Sequence, residues 1–93
     1  MSQETAIRYQ VFVAGNSPNS CQALHNLRLF CEEHLPDRHQ IEVIDVFQEP
    51  ERAMEESVLL TPLTIKVSPP PILKIIGSLS DRAPLFQTLE SSN

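Results

Sequence analysis

Three consecutive prolines, Pro69 to Pro71, restrict this chain more than any other feature of its sequence. None of them has a backbone N–H to donate, so no strand ladder continues through them. Apolar runs rich in β-branched residues lie on both sides, at 63–67 and 72–76, and Gly77 ends the second run. The pattern predicts two antiparallel strands joined by a short proline turn.

The preceding sequence alternates between strand and helix patterns. Residues 7–13 and 40–46 have the apolar spacing of strands. Between them, Ser17 followed by Pro18 is typical of a helix start, and the helix is expected to run to about Leu35. Pro50 opens a short acidic helix to about Ser57, with Ala53, Met54 and Val58 facing inward. Thr61-Pro62 then precedes the third strand, and we expect Pro62 to be cis.

A final helix is predicted after the second strand of the hairpin. Ser80 or Asp81 caps it, Pro84 falls in or just after its first turn, and Leu85, Phe86 and Leu89 are its apolar residues. The complete order is β-α-β-α-β-β-α. Strand–helix–strand units imply parallel pairing in the first half. The expected fold class is therefore α/β with thioredoxin-like topology.

Length, charge and hydropathy restrict the function classes. The 93 residues are expected to form one domain, 1–93. A formal net charge of −5 argues against nucleic-acid binding, which needs clustered basic side chains. No apolar stretch is long enough to cross a bilayer. The start, Met1 to Thr5, lacks the pattern of a signal peptide, which predicts a cytoplasmic, membrane-free protein.

The chemistry of a thiol oxidoreductase is missing from its expected place. Such enzymes carry Cys-x-x-Cys at the start of the first helix, where Ser17 and Ser20 stand here. Cys21 has no resolving partner, because Cys31 is about 15 Å further along the same helix, and Cys21 is expected to be a buried packing residue. A thiol-dependent oxidoreductase stays open only as an unfavoured alternative.

Neither the histidines nor the carboxylates have the spacing of a catalytic or metal site. His25 and His34 face different sides of the first predicted helix. Charge on the outer face of a short helix explains Glu49, Glu51, Glu55 and Glu56. With only two glycines, Gly15 and Gly77, the chain has no phosphate-binding loop. We therefore expect no enzyme activity, no cofactor and no metal.

Four separate segments of the chain form a recognisable set. They are Phe12-Val13-Ala14-Gly15-Asn16-Ser17-Pro18-Asn19-Ser20, Val43-Ile44-Asp45-Val46, Leu60-Thr61-Pro62-Leu63, and Pro69-Pro70-Pro71 with Ile75-Ile76-Gly77-Ser78-Leu79-Ser80-Asp81-Arg82. Each is weak alone, but together they are specific. In their order and spacing, from about Tyr9 to Leu89, they resemble the KaiB family of cyanobacterial circadian clock proteins.

This resemblance implies a regulatory binding protein. KaiB proteins dock on the N-terminal ATPase ring of the KaiC hexamer and there capture KaiA, which opposes KaiC autophosphorylation. A clock output histidine kinase with a related sensor-like domain is a possible competitor, and a divergent paralogue acting on a KaiC-like ATPase outside a clock is the alternative. The family also switches between an inactive tetramer with a rearranged C-terminal half and a binding-competent thioredoxin-like monomer.

Two positions indicate which state this chain prefers. Thr88 and Glu90 stand where the family has a glycine and an aspartate, and both favour a helix over those residues. The chain also ends at Asn93, without the family's acidic tail. We therefore expect a monomer in the thioredoxin-like state, with the tetramer as the alternative fold.

The resemblance places the docking surface on the second strand, the following loop and the second helix. The candidate contact residues are Gln40, Glu42, Phe47, Gln48, Glu49, Pro50, Lys66 and Lys74. Family members carry basic side chains at the positions of Gln22, Glu42 and Ser57, so the expected charge of this surface differs from theirs. Such differences change association rate and specificity.

Overall fold

A computed structural model describes residues 6–90. The expectations for Met1 to Thr5 and for Asn93 lie outside these residues. The elements, in chain order, are β1 (Ile7–Val13), α1 (Pro18–His34), β2 (His39–Asp45), α2 (Pro50–Glu55), β3 (Leu63–Ser68), β4 (Leu73–Ile76) and α3 (Ala83–Glu90). This is the predicted order, with α1 and α2 ending slightly earlier than expected.

The strands form a single four-stranded sheet in the order β2-β1-β3-β4. β1 pairs with β2 in parallel and with β3 antiparallel, and β3 pairs with β4 antiparallel. The prolines are thus the hairpin turn that the sequence indicates. The predicted thioredoxin-like α/β topology is confirmed, and β2 and β4 are the edges of the sheet.

Capping groups in the sequence determine where α1 and α3 begin. The Ser17 hydroxyl accepts a hydrogen bond from the Ser20 backbone N–H at 3.4 Å, and Pro18 follows in the first turn. At α3, an Asp81 carboxylate oxygen accepts from the Ala83 N–H at 3.0 Å. The predicted cap at Ser17 is therefore confirmed, and of the two candidates at α3, Ser80 or Asp81, it is Asp81 whose side chain bonds the start of the helix.

Apolar side chains are buried on both faces of the sheet. One cluster joins β1 to α1 and α3 and includes Tyr9, Val11, Leu27, Phe30 and Leu85. The other contains Phe12, Ile44, Leu63 and Ile65, with Val46 and Val58 packed against it. Burial on both sides explains why β1 carries apolar residues at successive positions.

A buried hydrogen-bond chain attaches α3 to the sheet. The Tyr9 hydroxyl lies 2.7 Å from Thr88 Oγ1, and Thr88 Oγ1 donates to the Leu85 carbonyl at 2.6 Å. The Tyr9 hydroxyl is therefore the donor to Thr88. Both side chains are buried away from water, so each hydroxyl serves as the hydrogen-bond partner that the other needs.

Two side chains occupy different environments from those predicted. Met54 is 78% exposed, because α2 buries none of its residues and is anchored through Val46 and Val58 outside it. Cys21 is also exposed, because its neighbour Ser20 is the residue that faces inward. The predictions of an inward Met54 and a buried Cys21 are wrong.

The Thr61–Pro62 bond is cis, as predicted, and so are Ser68–Pro69 and Pro70–Pro71. Within residues 6–90, none of the helices has both the length and the apolar character that a membrane span requires.

Candidate docking surface

The loop that follows β2 is held in place by one carboxylate. An Asp45 Oδ1 atom accepts hydrogen bonds from the Phe47 N–H at 2.9 Å and from the Gly15 N–H at 3.3 Å. The bond from Phe47 is the local one that an aspartate carboxylate accepts from the backbone N–H two residues later in a turn. The bond from Gly15 joins the β2–α2 loop to the β1–α1 loop. Asp45 therefore fixes the position of Phe47 relative to the sheet.

Phe47 extends into solvent from this loop and is 74% exposed. An atom added at the Cβ position of Gly15 would lie 3.7 Å from the edge of its ring. Gly15 has φ +55, which side-chain-bearing residues rarely adopt. The Phe47 ring therefore lies beside a loop whose conformation suits glycine. Most of the apolar surface of the ring is available for contact.

Glu42 on β2 forms the main ion pair of the surface. Arg52 of α2 donates to both Glu42 carboxylate oxygens, at 2.6 and 3.1 Å, and Gln10 donates to one at 3.1 Å. The hydrogen bonds from Arg52 and then Gln10 lower the pKa of Glu42. The pair links α2 to the outer strand of the sheet and leaves Glu42 charged at neutral pH.

The structure brings together most of the predicted contact residues. Gln40, Glu42, Phe47, Gln48, Glu49 and Pro50 are all exposed on β2 or on the segment that follows it. We name this segment, Phe47 to Glu56, the docking segment. Its helix, α2, contributes the exposed Met54 as a second apolar side chain.

Of the two predicted lysines, Lys66 does not join this group. Lys66 is fully buried, because the strand register places it opposite Tyr9, on the face covered by α1 and α3. That burial lowers its pKa. The prediction that Lys66 is an exposed contact is therefore wrong for this fold. Lys74 is exposed on β4, at the opposite edge of the sheet from β2, but its Nζ donates to the Glu56 carbonyl at 3.4 Å and so contacts the end of the docking segment.

A second exposed apolar group lies near Lys74 and was not predicted. Leu59 is 91% exposed, and Leu60 and Ile76 are 61% and 63% exposed. Together with Ser57, Leu63 and Lys74 they line an open groove of about 240 Å³. Sequence gives little sign of this groove, because an apolar residue before a strand is as easily core as surface.

Two serine hydroxyls make side-chain hydrogen bonds at the start of α1, and Cys31 lies near the end of the same helix. The Ser17 hydroxyl donates to Ser20 Oγ at 2.8 Å, and Ser20 Oγ accepts from the Ala14 N–H at 3.1 Å. Burial, with a smaller contribution from Glu32, raises the pKa of the Cys31 thiol to about 12.

Across residues 6–90, no set of three or more His, Cys, Asp or Glu side chains is arranged to hold a metal ion.

Comparison with known proteins decides the family. The model of the KaiB domain matches residues 10–90. The chain belongs to the KaiB family. It is 43% identical over 72 residues to the circadian clock protein KaiB3 of Synechocystis, covering 77% of this chain and 71% of that protein. To the circadian clock oscillator protein KaiB of Microcystis aeruginosa it is 48% identical over 73 residues, or 78% and 70% of the two chains.

Solved structures agree with the fold of this KaiB-family chain. The N-terminal domain of Synechococcus elongatus SasA superimposes with a TM-score of 0.76 at 20% sequence identity. The match covers 96% of this chain and 84% of that one. At this identity the similarity establishes the thioredoxin-like fold alone.

Proposed function

We propose that this chain is a regulatory binding protein that docks on the N-terminal ring of a KaiC-type hexameric ATPase. On that ring it captures KaiA and so opposes autophosphorylation of the ATPase. It makes and breaks no covalent bond and uses no cofactor. It acts in the cytoplasm as a monomer made of one domain, 1–93.

The observation that supports docking most strongly is the exposed aromatic side chain of Phe47. Aromatic residues with large exposed apolar surfaces are typical centres of binding energy in interfaces. Asp45 holds the loop through two backbone N–H groups, so little ordering is needed when a partner binds. Family membership supports a clock ATPase as that partner.

The charge of the surface favours a second candidate, a paralogue that binds a KaiC-like ATPase outside a clock. The resemblance implies basic family side chains at Glu42, Gln22 and Ser57, and in this chain Arg52 pairs with Glu42, which needs the acidic residue. A surface charged differently from that of the family fits a partner charged differently from theirs. The two candidates differ in partner identity and not in docking mode.

The thioredoxin-like state is the proposed resting form. Thr88 supports this because its side chain fills a buried position on the inner side of α3 and accepts the Tyr9 hydrogen bond, which a glycine would not do. Glu90 is at the exposed end of α3 and contributes through helix propensity alone. The tetrameric fold is the competing state.

Binding to purified cyanobacterial KaiC hexamers tests the proposal. The wild-type chain should comigrate with the hexamer in size-exclusion chromatography, and Phe47→Ala should weaken binding at least about tenfold. Ile72→Ala is the matched control, because Ile72 is a similarly exposed apolar residue, at 63%, outside the docking segment. Absence of a complex at tens of micromolar would reject the proposal.

Two further measurements separate the candidates. Addition of KaiA should give a ternary complex only when this chain occupies the ring, and the SasA N-terminal domain should displace this chain by competition. A binary complex that neither captures KaiA nor lowers KaiC autophosphorylation would favour the paralogue. Reduction of insulin by the wild type that is lost in Cys21→Ser would instead indicate an oxidoreductase.

A further inference from the structure

The docking segment and its flanking strand contain the whole net charge of the molecule. Residues 42–56 hold six of the twelve acidic side chains and one of the seven basic ones. The six are Glu42, Asp45, Glu49, Glu51, Glu55 and Glu56. The remaining six acidic and six basic side chains balance in number. Of these basic residues, Lys74 lies against the end of the segment, with its Nζ 3.4 Å from the Glu56 carbonyl, and the rest of the segment keeps its excess of acidic side chains.

Two large apolar side chains are exposed within this charged region. Phe47 is 74% exposed and Met54 is 78% exposed, although they lie on a segment that is otherwise acidic. The single basic residue, Arg52, contacts Glu42 at 2.6 Å and Glu49 at 3.6 Å. Glu51, Glu55 and Glu56 are exposed and lie on the same short helix as Met54 or at its end.

We infer that the partner of this segment has a basic surface around an apolar recess that receives Phe47 and Met54. This inference rests on the proposed function and specifies the chemistry of the surface on the ATPase that is contacted. Charge complementarity supports it, because a concentrated negative region accelerates association with a positive one and slows association with a negative one. Desolvation of Phe47 and Met54 would then contribute to the lifetime of the complex.

The same observations disfavour a second copy of this chain as the occupant. Two copies that met through the docking segment would bring two regions of equal negative charge together. The negative charge of the docking segment therefore opposes self-association at low salt and is compatible with binding to a different protein.

The test compares two pairs of neutralising substitutions in the full chain, with KaiC hexamers as the probe. Glu51→Gln with Glu55→Gln removes charge from the docking segment. Glu32→Gln with Asp37→Asn removes equal charge from exposed positions outside it. We expect the first pair to lower the association rate constant at low salt about tenfold, and the control pair to leave it within about twofold.

The salt dependence of the association rate tests the charge part of the inference, and the Phe47→Ala variant tests the apolar part separately. The wild-type association rate should fall steeply between about 20 and 200 mM salt, and that dependence should weaken in the Glu51→Gln, Glu55→Gln variant. Phe47→Ala should raise the dissociation rate and leave the salt dependence unchanged.

The outcomes distinguish this inference from the proposed function. No binding by the wild type overturns both. Binding that is insensitive to salt, or that the two neutralising pairs affect equally, overturns the basic partner surface and leaves docking in place. Dimers of the free chain that dissociate in Phe47→Ala would identify a second copy as the occupant and overturn the inference.

Discussion

Two threonines, Thr64 and Thr88, are both fully buried but differ in what their hydroxyl groups contact. Thr88 Oγ1 accepts from Tyr9 and donates to the Leu85 carbonyl. Thr64 lies in register with Val11 and Ile75, and among the residues the structure describes its hydroxyl has no hydrogen-bond partner. An unpaired buried hydroxyl is destabilising, whereas a paired one contributes to stability.

The same substitution should therefore have opposite effects at the two positions. Valine keeps the shape of threonine and removes the hydroxyl, so Thr64→Val should raise the free energy of unfolding by about 1 kcal/mol. Thr88→Val should lower it by about 1 to 3 kcal/mol, because Tyr9 then loses its buried acceptor. Urea denaturation measures both, and Thr88→Ser, which keeps the hydroxyl, is the control. Equal changes at the two positions would contradict this account of their hydroxyls.

Tyr9 should also give the protein a specific sensitivity to alkaline pH. Burial is the main cause that raises the pKa of Tyr9 to about 12, from 10.0 in the unfolded chain. Above pH 10 the unfolded state loses this proton first, so folding stability falls as the pH rises towards 12. At pH 11 the loss amounts to about 1.4 kcal/mol.

Comparison with Tyr9→Phe isolates this effect, because Cys31 and Lys66 are present in both proteins and their contributions cancel. The free energy of unfolding of the wild type, measured relative to that of Tyr9→Phe, should decrease between pH 9 and pH 11. A difference that stays constant over this range would show that the Tyr9 hydroxyl ionises equally readily in the folded and unfolded chains.

Among the elements, the hairpin, the long helix and the start of the short helix were predictable, and the packing of the short helix was not. The prolines, the Ser17 cap and the strand periodicity act locally, so sequence determines them. α2 spans Pro50–Glu55, too short for its apolar face to identify what it packs on. The sequence pattern therefore predicts an inward Met54, although in the structure Val46 and Val58 hold the segment to the sheet.

The docking surface was predictable only in part, for similar reasons. The resemblance to the KaiB family predicts partner contacts at Phe47 and its neighbours, and in the structure these residues lie on one exposed segment. It did not show that strand register turns Lys66 towards Tyr9, because register depends on pairing between distant segments. Nor did it show the Glu42–Arg52 pair, which depends on how α2 lies beside β2. The role of Asp45 was detectable, because a carboxylate two residues before a loop N–H is a known local pattern.

The two loops joined by Asp45 should be sensitive to backbone strain at residue 15. Alanine at Gly15 takes a positive φ, and its added atom makes an ordinary contact with the Phe47 ring at 3.7 Å, whereas alanine at Gly77, φ +113, meets nothing within 4 Å. Both substitutions should cost roughly 1 to 2 kcal/mol of stability through backbone strain. Only Gly15→Ala should also weaken binding to KaiC hexamers, because relaxation at residue 15 moves the N–H that bonds Asp45, and Asp45 also holds Phe47. Equal binding by both variants would mean that the link from Gly15 through Asp45 does not matter for docking.

At the scale of the whole molecule, α3 depends on one buried polar contact and on apolar packing. Leu85 is fully buried, and Phe86 packs edge-on against Phe30 at 5.1 Å between ring centroids. Arg82 also pairs with Glu33 of α1 at 3.1 Å, on the exposed side. These contacts join the last element to the first helix and the first strand. Loss of any one of them should therefore favour any state in which the C-terminal segment is packed elsewhere.

Thr88→Gly is the substitution that weakens this attachment most directly. It removes the acceptor for Tyr9 and adds a helix penalty of up to about 1 kcal/mol. If two packings differ by a few kcal/mol, a change of about 2 kcal/mol shifts their ratio roughly 30-fold. Wild type should sediment as a monomer with a single set of NMR signals, and Thr88→Gly should show a second set and a tetrameric species. Thr88→Ala, which loses the hydrogen bond but gains helix propensity, should be intermediate. If Thr88→Gly stays monomeric with one set of signals and only unfolds more easily, then Thr88 stabilises the fold without selecting between two.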